Sequence, residues 1–162
     1  MISSKPVLTD ADRASYPTHL LEGCETGLCL FAAAFLGQND AAHFEEAGVR
    51  TTCVDTDAER LGQMSFYYPR DWKYFTGDAW RYAEGAAAIG RQWDAISVDP
   101  FLGDAGYRAL DSLGLWASLA RKFVTVTVSS RFRPASARWR DGWRASLHPR
   151  STNASWLVLE RV

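Results

Sequence analysis

The sequence predicts a single three-layer α/β/α domain, in which helices cover both faces of a mainly parallel, seven-stranded sheet. Its 162 residues, of which 47% are hydrophobic, are enough for one domain with a substantial core. From residue 26 onward, five short apolar or β-branched runs alternate with helical stretches, a pattern typical of right-handed βαβ units. Two further strand-like runs, joined by a turn-rich segment, predict an antiparallel C-terminal hairpin at the sheet edge.

The elements can be assigned in chain order. The polar residues 1–25, which contain two prolines, are interpreted as an N-terminal arm, and residues 26–162 as the α/β domain. Asn39 or Asp40 can cap the first helix of the domain, and Gly48 is suited to end it. Strands are predicted over 28–31, 51–54, 73–76, 95–98, 123–128, 143–147 and 156–160, with helices over 39–47, 58–66 and 78–90 and another after residue 101.

The net charge of −1 conceals an uneven distribution of charge along the chain. Residues 1–120 carry 17 acidic and 9 basic side chains, whereas residues 121–162 carry 2 acidic and 9 basic ones. The basic segment 131–150 interleaves arginines with aromatic residues, a combination that suits phosphates and unpaired bases. It therefore predicts contact with nucleic acid, unless the basic residues only balance the acidic part of the chain. The substrate-binding candidates are Arg131, Arg133, Arg138 and Arg140.

The cysteines and histidines indicate neither a disulfide framework nor a metal site. The three cysteines, Cys24, Cys29 and Cys53, form no CxxC pair, and the three histidines lie far apart without metal-ligand spacing. The first residues lack the apolar stretch of a secretion signal. These features predict a reducing, cytoplasmic setting.

Acids stand where predicted strands end, and ligands of open α/β sheets bind beyond those ends. Asp55 can accept hydrogen bonds from two ribose hydroxyls or cap the following helix, as Thr56 or Asp57 also could. Asp78 can accept from an adenine amine or cap its own helix. Asp99 and the Pro100 carbonyl can accept from a target amino group, or they form a simple strand-to-helix turn.

The layout resembles the class I S-adenosylmethionine-dependent methyltransferases, which have a Rossmann-like fold, over about residues 26–162. Val54-Asp55-Thr56-Asp57 is similar to the family's acidic ribose-binding segment, and Gly77-Asp78-Ala79 to its adenine-side segment. Asp99-Pro100-Phe101 resembles a shortened Asp/Asn-Pro-Pro-aromatic motif of members that methylate amino groups. The resemblance implies S-adenosylmethionine as cofactor, cofactor contacts from Ala33, Phe35, Gly37, Asp55, Asp78 and Ala79, and Asp99, Pro100 and Phe101 as catalytic residues.

The first loop departs from the family pattern, which has an acid and two or three glycines there. Cys29 or Phe31 stands in place of the acid, and Ala33 and Phe35 stand in place of glycines. Two hypotheses follow: methyl transfer to a base amino group or a small molecule, or an inactive domain that acts as a binding or interaction module. The absence of GxGxxG, of a P-loop and of a Gly-x-Ser-x-Gly elbow argues against nicotinamide, nucleotide-hydrolase and α/β-hydrolase chemistry.

Overall fold

The computed structural model describes residues 7–33, 40–100, 103–133 and 138–162, which contain one mixed sheet. Its strands are β1 (Thr26–Leu30), β2 (Arg50–Asp55), β3 (Lys73–Thr76), β4 (Trp93–Val98), β5 (Ala120–Ser129), β6 (Arg138–Arg140), β7 (Trp143–Pro149) and β8 (Ala154–Arg161). Their order is β3-β2-β1-β4-β5-β8-β7-β6; β1 to β5 are parallel and the last three strands are antiparallel. The predicted α/β fold with its C-terminal hairpin is therefore confirmed.

The short strand β6 extends the sheet beyond the seven strands that the sequence predicted. It pairs with β7 across a turn at Asp141 and Gly142, and Gly142 has a φ of +82°, which glycine adopts at little cost. The arginine-rich run before this turn has no clear alternation of apolar and polar residues, so its pairing was not recognisable from local pattern.

Helices and turns connect the strands. They are α1 (Asp10–Ser15), a 3₁₀ turn (Thr18–Leu21), α2 (Asp40–Glu46), α3 (Ala58–Tyr67), α4 (Ala79–Ala88), α5 (Asp104–Asp111) and α6 (Leu113–Leu119). The single helix predicted after the fourth strand is thus two helices that meet at Ser112. The Ser112 hydroxyl donates to the Arg108 carbonyl (2.8 Å) and accepts from the Trp80 indole (2.9 Å). Local hydrogen bonding by a serine competes with helix continuation in this way.

The two faces of the sheet carry separate apolar cores. On one face, α4 and α6 pack against Ile96, Val124 and neighbouring side chains, with Trp116 fully buried. On the other face, α2 and α3 contribute Phe44 and Met64. A Cβ at position 27 would lie 2.7 Å from the Phe44 ring, so the glycine of β1 allows this close approach of α2.

The predicted N-terminal arm packs against the second face. Tyr16, Leu21 and Cys24 are buried there, and the Arg13 guanidinium pairs with Glu46 of α2 at 2.8 Å. In the part of the chain that the structure describes, no helix is both long and apolar enough to cross a membrane.

Candidate functional site

The candidate site lies at the carboxyl ends of β1, β2 and β4. The connection from β1 runs to β2 on one side and the connection from β4 runs to β5 on the other, so a crevice opens between the ends of β1 and β4. Backbone hydrogen bonds hold the strand ends together: Ala32 donates to Val54 (3.2 Å), and Asp99 donates to Leu30 (3.2 Å). Residues that follow these strands therefore face one common space.

Asp55 ends β2 and fastens the first loop. One carboxylate oxygen accepts from the Ala33 backbone N–H (2.9 Å), and the other accepts from the Asp57 N–H (2.8 Å). The cap of α3 is Asp57, whose carboxylate accepts from the Arg60 N–H (3.0 Å). The capping alternative for Asp55 is therefore excluded, and its carboxylate is directed at the loop after β1.

The backbone of the first loop has a glycine-like conformation at Phe31. This residue has a φ of +61°, in the left-handed region that is costly for a residue with a Cβ. Its ring contacts the Trp80 indole edge-on, with centroids 5.3 Å apart. Ala33 is buried, whereas Phe35 and Gly37, the other cofactor candidates of this loop, lie outside the described residues.

Asp78 is the N-cap of α4. One of its oxygens accepts from the Arg81 N–H (2.9 Å), and the other makes no hydrogen bond within the described part of the chain. Gly77 donates to the Asp55 carbonyl (2.9 Å), so the start of α4 is tied to the end of β2. Ala79 is buried behind the cap. Capping and a cofactor contact are compatible here, because a carboxylate has room for several donors.

Asp99 belongs to a buried polar group that we term the Arg150 cluster: Asp40, Ser97, Asp99, Thr127 and Arg150. The Asp99 carboxylate accepts from both Arg150 amino groups (2.9 and 3.1 Å) and from the Thr127 hydroxyl (2.8 Å). Ser97 donates to one Asp40 oxygen (2.6 Å), and the other Asp40 oxygen lies 3.8 Å from the Arg150 guanidinium. The Asp99 side chain is therefore bonded within the protein rather than turned to an open cleft.

In this cluster, burial and the attraction between Arg150 and the carboxylates shift the pKa values in opposite directions. Burial, together with the nearby Asp40 carboxylate, raises the pKa of Asp99 to about 6, although Arg150 and Thr127 favour its ionised form. Burial acts to lower the pKa of Arg150, but the two carboxylates outweigh it and raise that pKa. Because Asp40 and Asp99 share one guanidinium at the end of β4, the protonation of Asp99 depends on both of these neighbours.

An aromatic layer adjoins the Arg150 cluster beneath the N-terminal arm. The rings of Tyr16 and His43 stack with centroids 4.3 Å apart, and Tyr16 meets Trp156 edge-on at 5.1 Å. The Arg150 guanidinium lies 5.0 Å from the Trp156 ring. Burial lowers the pKa of His43 to about 4, so this histidine is neutral at ordinary pH.

The structure separates the four arginines that the sequence grouped as substrate contacts. Arg131 and Arg133 are exposed just beyond the carboxyl end of β5. Arg138 and Arg140 belong to β6, whose backbone pairs with the start of β7, and that part of β7 pairs with the end of β8. The end of β8 pairs with the beginning of β5. Strand β6 therefore lies toward the amino end of β5, at the end of the sheet opposite to Arg131 and Arg133. The basic segment is not one continuous surface at the site.

Sequence reasoning found the strand-end acids but missed Asp40 and Arg150 as partners of Asp99. The sequence indicates Asp40 only as a possible helix cap, and Arg150 only as the last residue of the basic segment 131–150. Their contact spans 110 positions of the chain, so no local pattern predicts it. Pro100 is buried at the end of β4, and Phe101 lies outside the described residues. The roles predicted for Asp99, Pro100 and Phe101 stay predictions.

Comparison with known proteins agrees with this topology. No family model matches the sequence, and no curated protein matches it. A methyltransferase from Geobacter sulfurreducens has a similar structure, with a TM-score of 0.63 at 15% identity over 97% of this chain and 80% of that chain. An S-adenosylmethionine-dependent methyltransferase from Agrobacterium tumefaciens gives 0.65 at 13% identity over 88% and 58%. TrmN from Thermus thermophilus gives 0.62 at 18% over 93% and 48%.

This chain therefore spans little more than half of the Agrobacterium protein and about half of TrmN, but most of the Geobacter protein. The shared part includes the sheet whose strand ends carry Asp55, Asp78 and Asp99. The chain has the Rossmann-like fold of the class I S-adenosylmethionine-dependent methyltransferases.

Proposed function

We propose that this protein transfers a methyl group from S-adenosylmethionine to an amino group, at the carboxyl ends of β1, β2 and β4. One observation carries the proposal: the Asp55 carboxylate, at the end of β2, is held against the first loop in a fold shared with solved methyltransferases. The hypothesis of an inactive binding module gains no support from these comparisons. When bound, S-adenosylmethionine would supply an electrophilic methyl group; its transfer to the lone pair of an acceptor amine would leave S-adenosylhomocysteine, and the amine would release a proton.

The strand-end residues fit the polar parts of that cofactor. Each Asp55 oxygen accepts one backbone N–H, and an ionised carboxylate has about four acceptor positions, so two ribose hydroxyls can still be accommodated. Asp78 uses one oxygen for the cap of α4 and has the other for an adenine amine. The loop at Ala33, with Phe35 and Gly37, would line the methionine part.

The acceptor side of the proposal falls at the end of β4. Pro100 offers its carbonyl to an amino group, whereas the role predicted for Phe101 falls on a residue outside the described part of the chain. Since Arg150 and Thr127 already occupy the Asp99 carboxylate, we assign Asp99 the role of fixing this strand end rather than of a free acceptor. A nucleic-acid base is the acceptor we favour, because Arg131 is exposed at the same end and suits a phosphate.

We place this activity in the cytoplasm. Cys24, Cys29 and Cys53 are buried free thiols, as expected for a reducing compartment. Secretion of the active protein with oxidised thiols would contradict this assignment.

Titration calorimetry with S-adenosylmethionine tests the cofactor claim. We expect binding to the wild type and a loss of about tenfold or more in Asp55→Asn, since bonds to a charged acceptor are replaced by weaker ones. Asp57→Asn is the matched control, because it removes a carboxylate from the same segment but retains a good helix cap. Absence of binding to folded wild type, or an equal loss in both variants, would overturn the proposal.

A further inference from the structure

A cleft of about 390 Å³ opens beside the candidate site, between α5 and the carboxyl end of β5. Its volume falls within the range of small-molecule sites, which is about 300–1,000 Å³. Of the Arg150 cluster, Thr127 is among the described residues that line it, and the strand-end acids are not. The residues that matter for its chemistry are Gly103, Tyr107, Leu110, Thr127, Arg131 and Phe132.

Two aromatic rings border this cleft. Tyr107 is 71% exposed, although a large ring is usually covered in a folded protein, and Phe132 is half-buried. The wall at Gly103 has no side chain, and its φ of +106° favours glycine. Exposed ring faces next to bare backbone suit a flat aromatic ligand, which gains stacking contact without displacing a side chain.

Arg131 supplies a positive charge at the rim. Its guanidinium makes no hydrogen bond or ion pair with any residue that the structure describes, and its side chain is exposed. Arg133, its neighbour, donates instead to the carbonyls of Ser130 and Phe132, both at 2.8 Å. Arg131 is therefore available for a bidentate contact with an anionic group such as phosphate.

The cleft is joined to the end of β4 through Thr127. This residue lines the cleft, and its hydroxyl donates to Asp99 at 2.8 Å. The pairing of Val98 with Val126 sets the two strand ends side by side. A ligand in the cleft thus lies next to the strand end at which the methyl acceptor is expected.

We propose that this cleft is the acceptor pocket, and that it holds a nucleotide: the base lies against Tyr107 and Phe132, and the phosphate binds Arg131. The inference rests on the proposed methyl transfer and names the residues that would hold the acceptor base and its phosphate. The nucleotide comes either free or as part of a single-stranded nucleic acid, since both present a planar base joined to a phosphate.

The experiment is a set of NMR titrations of the full chain without S-adenosylmethionine. Its ligands are adenosine 5′-monophosphate, adenosine, ribose 5-phosphate and a short single-stranded oligonucleotide. We expect the monophosphate to bind more tightly than adenosine and ribose 5-phosphate to bind least. Tyr107→Ala should weaken monophosphate binding roughly tenfold or more, since it removes a stacking surface. Arg131→Gln should abolish the advantage of the monophosphate over adenosine.

Two matched variants keep the result interpretable. Phe66→Ala removes another exposed ring, on α3, and Arg50→Gln removes another exposed arginine, at the far end of the sheet. Both should leave affinity unchanged. Oligonucleotide binding tighter than monophosphate binding identifies nucleic acid as the source, and equal affinity identifies the free nucleotide; either result supports the pocket.

The inference is overturned if the monophosphate does not bind, or if Tyr107→Ala and Arg131→Gln bind it as the wild type does. S-adenosylmethionine binding is measured separately on the same samples. Cofactor binding without nucleotide binding refutes the acceptor pocket alone. Nucleotide binding without cofactor binding refutes methyl transfer and leaves the cleft as a nucleotide site.

Discussion

The two ends of the sheet carry charge in opposite ways. At the carboxyl end, Asp40, Asp55 and Asp99 are buried and bonded to backbone N–H groups, hydroxyls or Arg150. At the amino end, two clefts of about 430 and 490 Å³ are bordered mainly by exposed cations, with one acid in each, Asp71 and Glu160. The cations are Arg50, Lys73 and Arg91 in the first cleft and Arg121, Lys122 and Arg161 in the second.

The fold itself explains much of this difference. In a βα unit each helix begins near the carboxyl end of the preceding strand and ends near the amino end of the next one. Helix N-termini favour acids and helix C-termini favour bases, so an acidic carboxyl end and a basic amino end arise without any ligand. Arg50, Lys73 and Arg91 come from the acidic part of the sequence and still lie at the basic end. The distribution of charged side chains between the two ends therefore depends on strand direction as well as on position in the sequence.

Arg131 and Arg150 stand out among the cations of the acidic end, where Arg60, Arg81 and Arg133 also lie. Both are cations at the acidic end, where the helix dipoles do not favour them. One is buried between two carboxylates, and the other is exposed beside an aromatic cleft. The helix dipoles explain the general difference in charge between the two ends of the sheet. They do not explain Arg131 and Arg150, so these two cations are candidates for a functional role.

The largest effect is expected from Arg150→Met. This change leaves Asp40 and Asp99 buried without their counterion, a situation that costs about 3–5 kcal/mol. The comparison at the amino end is Arg121→Met, which breaks an ion pair with Asp94 in which the arginine is 51% exposed. Because this arginine is half exposed and Asp94 keeps its bonds to the backbone N–H groups of Glu25 and Thr26, we expect a loss of only about 1 kcal/mol. Urea unfolding of both variants measures the two free energies.

A triple variant serves as the control for that experiment. Combining Arg150→Met with Asp40→Asn and Asp99→Asn removes both charges that the arginine balanced, so most of the lost stability should return. Equal losses in Arg150→Met and Arg121→Met would show that burial does not distinguish the two ends.

The pH dependence of stability separates two groups with opposite signs. Asp99 has a folded pKa of about 6, above its unfolded value, so it binds a proton in the native state and its contribution falls as pH rises from about 4 to 6. His43 has a folded pKa of about 4, below its unfolded value, so its contribution rises with pH over about 4 to 6.5. Each slope reaches at most about 1.4 kcal/mol per pH unit.

Urea unfolding across this pH range tests both signs. Asp99→Asn should make the free energy of unfolding rise more steeply with pH, whereas His43→Gln should make it rise less steeply. Slopes that change in the same direction in the two variants would contradict the assignment.

A smaller effect is expected for nucleic-acid binding at the two ends. Affinity for a single-stranded oligonucleotide falls with salt, with a logarithmic slope of about 0.7 per phosphate contact. Arg131→Gln should reduce that slope by about 0.7, because it removes one contact at the site end. Lys122→Gln, which lies at the amino end and donates to the Gly23 carbonyl, should leave it unchanged. A reduced slope in Lys122→Gln, with an unchanged slope in Arg131→Gln, would instead place the nucleic-acid contact at the amino end of the sheet.

The sequence predicted the features that depend on short stretches of chain. The seven main strands follow from apolar and β-branched runs. Asp78 follows from the helix that it precedes, and Asp57 was one of three candidate caps for α3, with Asp55 and Thr56. It could not predict the Arg150 cluster, since residues 40, 99 and 150 meet only when the hairpin is packed beside β5. It also grouped Arg131 with Arg140, because neighbours in sequence can lie toward opposite ends of a hairpin.

The smallest expected effect on stability is at the two acids that cap helices at the carboxyl end. Asp57 and Asp78 cap α3 and α4 in the same way, each through one oxygen that accepts from the N–H three residues later. Serine is also a good N-cap, so Asp57→Ser and Asp78→Ser should each change the free energy of unfolding by only a few tenths of a kcal/mol. Only Asp78 is assigned a contact with adenine. Calorimetry should therefore show weaker S-adenosylmethionine binding in Asp78→Ser and unchanged binding in Asp57→Ser. Unchanged binding in both variants would show that Asp78 acts only as a helix cap. The helix dipole alone would then explain its charge at the carboxyl end of the sheet.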